Sequence, residues 1–276
     1  MIKDIVVNLS IREGGGPAGD YAIAVADAFR AHIVGIAFVY DPIVPVSAMG
    51  YIPAEVIETQ KTDNEAAAKA AIDRFTAATS RAGVSAEPCT LGASFAGAGD
   101  QFGRIARRFD LAIVDQAKPE ASEVEEMIVE STLFESGRPV IVVPYIQKGP
   151  LKLDRVMVCW DGSRPAARAI ADAMPLLEKA GRVEVVIVAN ERGKQDEIAG
   201  ADMGQHLARH GLKVEVERIV GGDIDVADAL LSHAADCSAD FIVMGGYGHS
   251  RLREFVLGGV TRGILGSMTA PVLMSH

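Results

Sequence analysis

The sequence predicts an α/β protein made of two doubly wound domains, each around a five-stranded parallel sheet. Three observations predict it. Short apolar, Val-rich runs alternate with helical stretches along the whole chain, the pattern of parallel strands covered on both faces. The alternation is run through twice, and the two passes share short sequences: RPVIVVP at 138–144 resembles APVLMSH at 270–276, and FDLAIVD at 109–115 resembles ADFIVMG at 239–245. Both pairs lie about 130 residues apart, the mark of an internal repeat. Between the passes, YIQKGPLKL at 145–153 carries Gly149-Pro150 and no periodicity, which divides the chain into domains at 1–148 and 149–276.

The elements follow in order. In the first half, strands are predicted over 4–10, 33–40, 84–90, 111–115 and 139–143. Helices are predicted over 20–30, 55–82 and 98–108, with one more before the last strand. In the second half, strands are predicted over 156–160, 183–189, 212–219, 241–245 and 271–274. The helices there are predicted near 165–179, 195–210 and 223–236 and after Gly258. Strand–helix–strand connections of this kind are right-handed.

Composition narrows the function. The 276 residues suit two domains of ordinary size. Lys and Arg number 27 against 37 Asp and Glu, a net charge of -10, which argues against a nucleic-acid backbone binder, because counterion release needs a basic face. Aromatics are 5%, too few for base-stacking platforms. No apolar run approaches the roughly 18 residues of a membrane span. Asp4 interrupts the opening apolar stretch, which argues against a secretory leader and makes the cytoplasm the expected compartment. Cys89, Cys159 and Cys237 are far apart with no CxxC, a pattern of reduced thiols rather than a disulfide framework or a structural zinc motif.

In a doubly wound sheet, ligands bind beyond the carboxyl ends of the strands where strand order reverses. In the second half that directs attention to Trp160-Asp161-Gly162-Ser163 and to Met244-Gly245-Gly246-Tyr247-Gly248, with Gly258 and Gly259 opening the next helix. Glycines there expose backbone N–H groups, and the helix N-terminus favours an anion such as phosphate. They also serve turns and close packing, and glycine content alone leaves both readings open.

The spacing Gly245-x-x-Gly248, nine residues, then Gly258-Gly259-Val260-Thr261 resembles the ATP-binding loop of the universal stress protein family. Asp161-Gly162-Ser163 after the first strand and the terminal Pro-Val strand fit it too. The chain resembles a tandem two-domain member of that family, with a Rossmann-like, adenine nucleotide alpha hydrolase-like fold. The resemblance implies ATP, or another adenine nucleotide, bound with Mg²⁺. It implies Asp161 and Cys159 at the adenosine end, Ala189 against adenine, and Met244 and Gly245 along the nucleotide. Gly248, Gly258, Gly259, Val260 and Thr261 would surround the phosphates. The family's Ser or Thr after the third glycine is Gly259 here, so one hydroxyl is missing; its backbone N–H remains and Thr261 offers a hydroxyl two residues on, so phosphate binding is expected to be retained but weaker.

The first half lacks these features. Ser10 stands where Asp161 does, and Asp115–Glu123 carries no glycine. Glu120, Glu123, Glu125 and Glu126 place negative charge where phosphates would lie. We read this half as a degenerate partner.

Other constellations are less specific. His206 and His210, four apart on a helix, are a metal pair or a solvated face. His249, Arg251 and Arg253 are phosphate contacts or surface charge. Ser163 lies in Asp-Gly-Ser-Arg rather than GxSxG, without a base, so no hydrolase triad is expected. The apolar segment Pro42–Pro53 reads as a packed lid or an apolar binding surface.

The expected function is a cytoplasmic regulatory stress protein that binds ATP in its second half. The alternatives are a slow ATPase or nucleotidyl-transfer enzyme, and an interaction module with a vestigial site. No general base stands out, and Asp161 is the carboxylate nearest the expected Mg²⁺. The last strands of the two halves are apolar edges that need cover. They are expected to face each other within the chain as a pseudo-twofold pair, with homodimerisation as the alternative or an addition. The nine-residue linker reaches on the order of 30 Å, enough for that return.

Overall fold

A computed structural model of the chain describes residues 1–42, 53–118, 123–189, 196–220, 224–246 and 259–276. The first half contains β1 (Asp4–Asn8), α1 (Pro17–Phe29), β2 (His32–Tyr40), α2 (Ala54–Ala82), β3 (Ala86–Ala93), α3 (Ala98–Ala106), β4 (Leu111–Asp115), α4 (Glu123–Glu135) and β5 (Val140–Val143). The second contains β6 (Arg155–Cys159), α5 (Arg164–Leu177), β7 (Arg182–Ala189), α6 (Asp196–Arg209), β8 (Val214–Val220), α7 (Val226–Asp236), β9 (Phe241–Gly245), α8 (Gly259–Ser267) and β10 (Val272–Ser275).

Local chemistry sets the helix ends. Pro17 opens α1, where its missing N–H costs no hydrogen bond. The Ser163 hydroxyl accepts from Ala166 N at the start of α5, and Asp225 Oδ1 accepts from Ala227 N at the start of α7. The Ala-rich α2 ends on Gly83, whose φ of 68° is the left-handed cap conformation.

All strands join in one sheet of order β3-β2-β1-β4-β5-β10-β9-β6-β7-β8. Within each half the strands are parallel, and the order reverses between β1 and β4 and between β6 and β9. The halves meet where β5 and β10 pair antiparallel, with Val140 opposite Met274, Ile141 opposite Leu273 and Val142 opposite Val272. The expected internal pairing of the two last strands is therefore present. Each of those six side chains is completely buried, so the junction is a strip of hydrophobic core.

The apolar layer on each face of the sheet runs across both halves. One contains Ile5, Val7, Tyr21, Phe75 and Ile141 with Val156, Leu176, Phe241 and Leu273. The other contains Phe38, Phe102, Leu133 and Val142 with Met157, Leu230, Ile264 and Met274. Polar contacts cross the junction as well. Gln116 donates from Nε2 to the Leu265 carbonyl (2.8 Å) and accepts at Oε1 from Tyr145 N (3.1 Å).

Several element ends differ from expectation by one to three residues, and among the strands the third differs most. The third strand runs over Ala86–Ala93 rather than 84–90, because it lies at the sheet's edge, where half-exposed positions and Pro88 blur its apolar signal.

Candidate functional site

The switch point of the second half lies between the carboxyl ends of β6 and β9. Cys159 closes β6, followed by Trp160 and the exposed Asp161. Asp161 Oδ1 accepts from Ser163 N at 2.9 Å, and Gly162 between them has φ +75°, a conformation that favours glycine. This tight turn delivers the chain into α5. Burial, followed by the Asp161 charge, pushes the Cys159 thiol up to about 12, so it is a neutral wall of the site rather than a nucleophile.

On the facing strand, Met244 is buried and Gly245 ends β9. A Cβ on Gly245 would lie 2.4 Å from Ala166 N and 2.6 Å from Pro165 C. Of the two readings the sequence left open for this glycine, close packing against the first turn of α5 is the one the structure displays. Gly259 begins α8, has no described atom within 4 Å of its Cβ position and shows no left-handed backbone. Val260 is half-buried and Thr261 buried on the same helix. Ala189 ends β7 opposite Val220.

Gly248 and Gly258 lie outside the described residues, as do His249, Arg251, Arg253, Glu120 and residues 43–52 of the expected lid. Among the described site residues, the fold gathers Cys159, Asp161, Met244 and Gly245 at one sheet end.

The equivalent place in the first half is occupied by its own side chains. Asp115, at the position of Gly245, turns its carboxylate onto the start of α1 and accepts from Ala18 N at 2.8 Å. Burial pushes Asp115 up to about 7 despite that hydrogen bond. Beside it, Arg12 from the loop after β1 pairs with Glu125 on α4. The acidic segment is thus partly neutralised rather than purely repulsive, a correction to the sequence reading. Gly14 and Gly15, at φ +78° and +77°, turn the chain there.

Comparison with known proteins now bears on this geometry. Residues 152–276 match the model of the universal stress protein family. Over those residues the chain is similar to that family. A universal stress protein of Synechocystis is 30% identical over 139 residues, which is 49% of this chain and 46% of that protein. The chain thus spans about half the length of that relative. A universal stress protein from Archaeoglobus fulgidus matches across 99% of this chain and 95% of its own, with a TM-score of 0.69 and 18% identity. A protein of unknown function from Pseudomonas aeruginosa matches with a TM-score of 0.64 at 15% identity, covering 99% and 92%. At those identities the likeness is one of fold, and it extends beyond residues 152–276 into the first half.

The sequence reading missed two groups. The Asp115 cap was hidden because its partner, Ala18, lies 97 residues away. Glu184, His233 and Cys237 form a second cluster, which no spacing in the sequence signals. Among the described residues it is the group of three metal-ligating side chains whose donor atoms lie within 4.8 Å of one another. The His206 and His210 rings do pack together, at 4.9 Å, but on an exposed face and outside that cluster.

Proposed function

We propose that the protein binds one adenine nucleotide, ATP or a close relative, at the carboxyl ends of β6 and β9, and serves as a cytoplasmic regulatory stress protein. It has two universal-stress-protein-like domains in this reading, 1–148 and 149–276, of which only the second binds nucleotide. The observation that carries it is the contrast between the switch points: glycine at position 245 where the first half has the Asp115 carboxylate. A buried, half-ionised carboxyl at that place disfavours an anionic ligand, whereas a glycine adds neither charge nor bulk.

The residues fit a nucleotide. Asp161, exposed and oriented by the Ser163 N–H, suits a ribose hydroxyl or a hydrated Mg²⁺, which takes one or two carboxylates and keeps several waters. The start of α8 at Gly259 supplies N–H groups and a helix dipole toward phosphate. Met244 and Cys159 supply apolar wall. We assign no catalytic residue, and burial keeps the Cys159 thiol protonated.

Purification followed by analysis of bound nucleotide and a turnover assay tests the reading. Bound adenine nucleotide without repeated turnover is the expected result. Repeated turnover would make the protein an enzyme, and an empty site that takes up no nucleotide would overturn the proposal.

A further inference from the structure

Glu184 is an anomaly in its own strand. It sits near the start of β7, in the Val-rich run RVEVVIVA, and is 5% exposed. A buried carboxylate needs partners, and it has three neighbours of different kinds. Its Oε1 lies 2.8 Å from His233 Nε2, and its Oε2 lies 3.4 Å from Arg155 Nη1. Cys237 stands four residues after His233 at the end of α7, so that sulfur and imidazole share one helix face. An ion pair alone would account for the histidine and the arginine. It does not account for the convergence of carboxylate oxygen, imidazole nitrogen and sulfur within 4.8 Å.

We propose that Glu184, His233 and Cys237 form a binding site for a divalent transition-metal ion of the zinc class. One oxygen, one nitrogen and one sulfur donor make the mixed set that borderline cations prefer, and that Mg²⁺ and Ca²⁺ do not. Tetrahedral zinc holds its ligands on the order of 3–4 Å apart, so the cluster closes with a side-chain adjustment of about 1 Å. The ion takes the place of the proton between His233 and Glu184, which passes to solvent or, by a change of tautomer, to Nδ1, and Cys237 releases its thiol proton to solvent on coordination. The bound 2+ charge is then balanced by one carboxylate and one thiolate, while Arg155 keeps the second Glu184 oxygen. Three protein ligands leave a fourth position for water. The His233 side chain is 18% exposed, which gives the ion a route in. The site lies at the end of the sheet opposite the nucleotide cleft and does not depend on the nucleotide reading.

Cobalt is the probe, since a thiolate–Co²⁺ bond has its own charge-transfer absorption. The full chain, stripped with chelator, is titrated with Co²⁺ and then with Zn²⁺. The expected result is a thiolate charge-transfer band that saturates at one ion per chain and is displaced by Zn²⁺. Cys237→Ser, which is nearly isosteric, should abolish the band. Glu184→Gln should weaken Co²⁺ binding by about tenfold or more, and Cys89→Ser and His206→Ala should leave it unchanged. Zn²⁺ should also raise the melting temperature of the wild type and not that of Cys237→Ser. Absence of the band, its persistence in Cys237→Ser, or binding lost only in His206→Ala would overturn the proposal.

Discussion

The Asp115 carboxylate fills the space that a side chain on Gly16 would need: a Cβ there would lie 2.1 Å from Asp115 Oδ2. The second half reverses the arrangement. Ser163 at the helix start carries the capping oxygen, and Gly245 at the strand end gives way. Each half therefore stops its first helix with one side-chain oxygen, supplied from opposite sides of the same contact. Where that oxygen is a strand-end carboxylate, the switch point is filled. Where it is a hydroxyl on the helix, the strand end stays clear.

Gly16→Ala should destabilise the chain by about 1–3 kcal/mol, the usual cost of overpacking, because the new methyl displaces Asp115 from Ala18. In an Asp115→Gly background the same change should cost much less. Denaturant unfolding of the four variants in a double-mutant cycle checks this. Additive costs would show that the two positions are not coupled.

Stability should depend on pH through Asp115. Unfolded, this carboxyl titrates near 4; folded, near 7. Between those values the folded state holds the extra proton, so stability falls as pH rises from about 4 to about 7, by at most about 1.4 kcal/mol per pH unit, and then levels. Asp115→Asn keeps an acceptor for Ala18 N and should remove this component. Melting curves across that range, compared between wild type and variant, provide the check, and identical slopes would sink it.

Gly259→Ser should tighten ATP binding by about 0.5–1.5 kcal/mol, through one added hydroxyl hydrogen bond. Among the described residues nothing lies within 4 Å of a Cβ there, and the backbone is ordinary, so the substitution meets no strain from them. Calorimetric titration of the variant reads the gain; unchanged or weaker binding would place the phosphates elsewhere.

Gln116→Ala should cost about 1–3 kcal/mol of stability, because its buried amide joins Tyr145 N and the Leu265 carbonyl, and truncation orphans both. Equilibrium unfolding measures it. A loss within experimental error would mean that water replaces the amide at this junction.

Much of this architecture was legible in the residues. The central strands β4 and β9 have the bounds the sequence predicts, because strands buried on both faces are continuous apolar runs. The β5–β10 pairing was legible for a related reason: two apolar edges need cover. Edge strands were less so, since β3 leaves most positions at least partly exposed and β8 exposes Glu215, Val216 and Glu217 in succession, mixing charge with apolar residues. At the site, Asp161 and Gly245 announced themselves by position after a strand. The capping role of Asp115 and the meeting of Glu184 with Cys237 did not, because each joins residues that only the tertiary fold brings together.

Calorimetric titration of the full chain with ATP tests the central claim most directly. The account predicts one site per chain, preference for adenine over guanine nucleotides, and loss of binding without loss of fold in Gly248→Val, where a branched side chain obstructs the approach of phosphate to backbone. Two equivalent sites per chain, or wild-type affinity in a folded Gly248→Val variant, would contradict it.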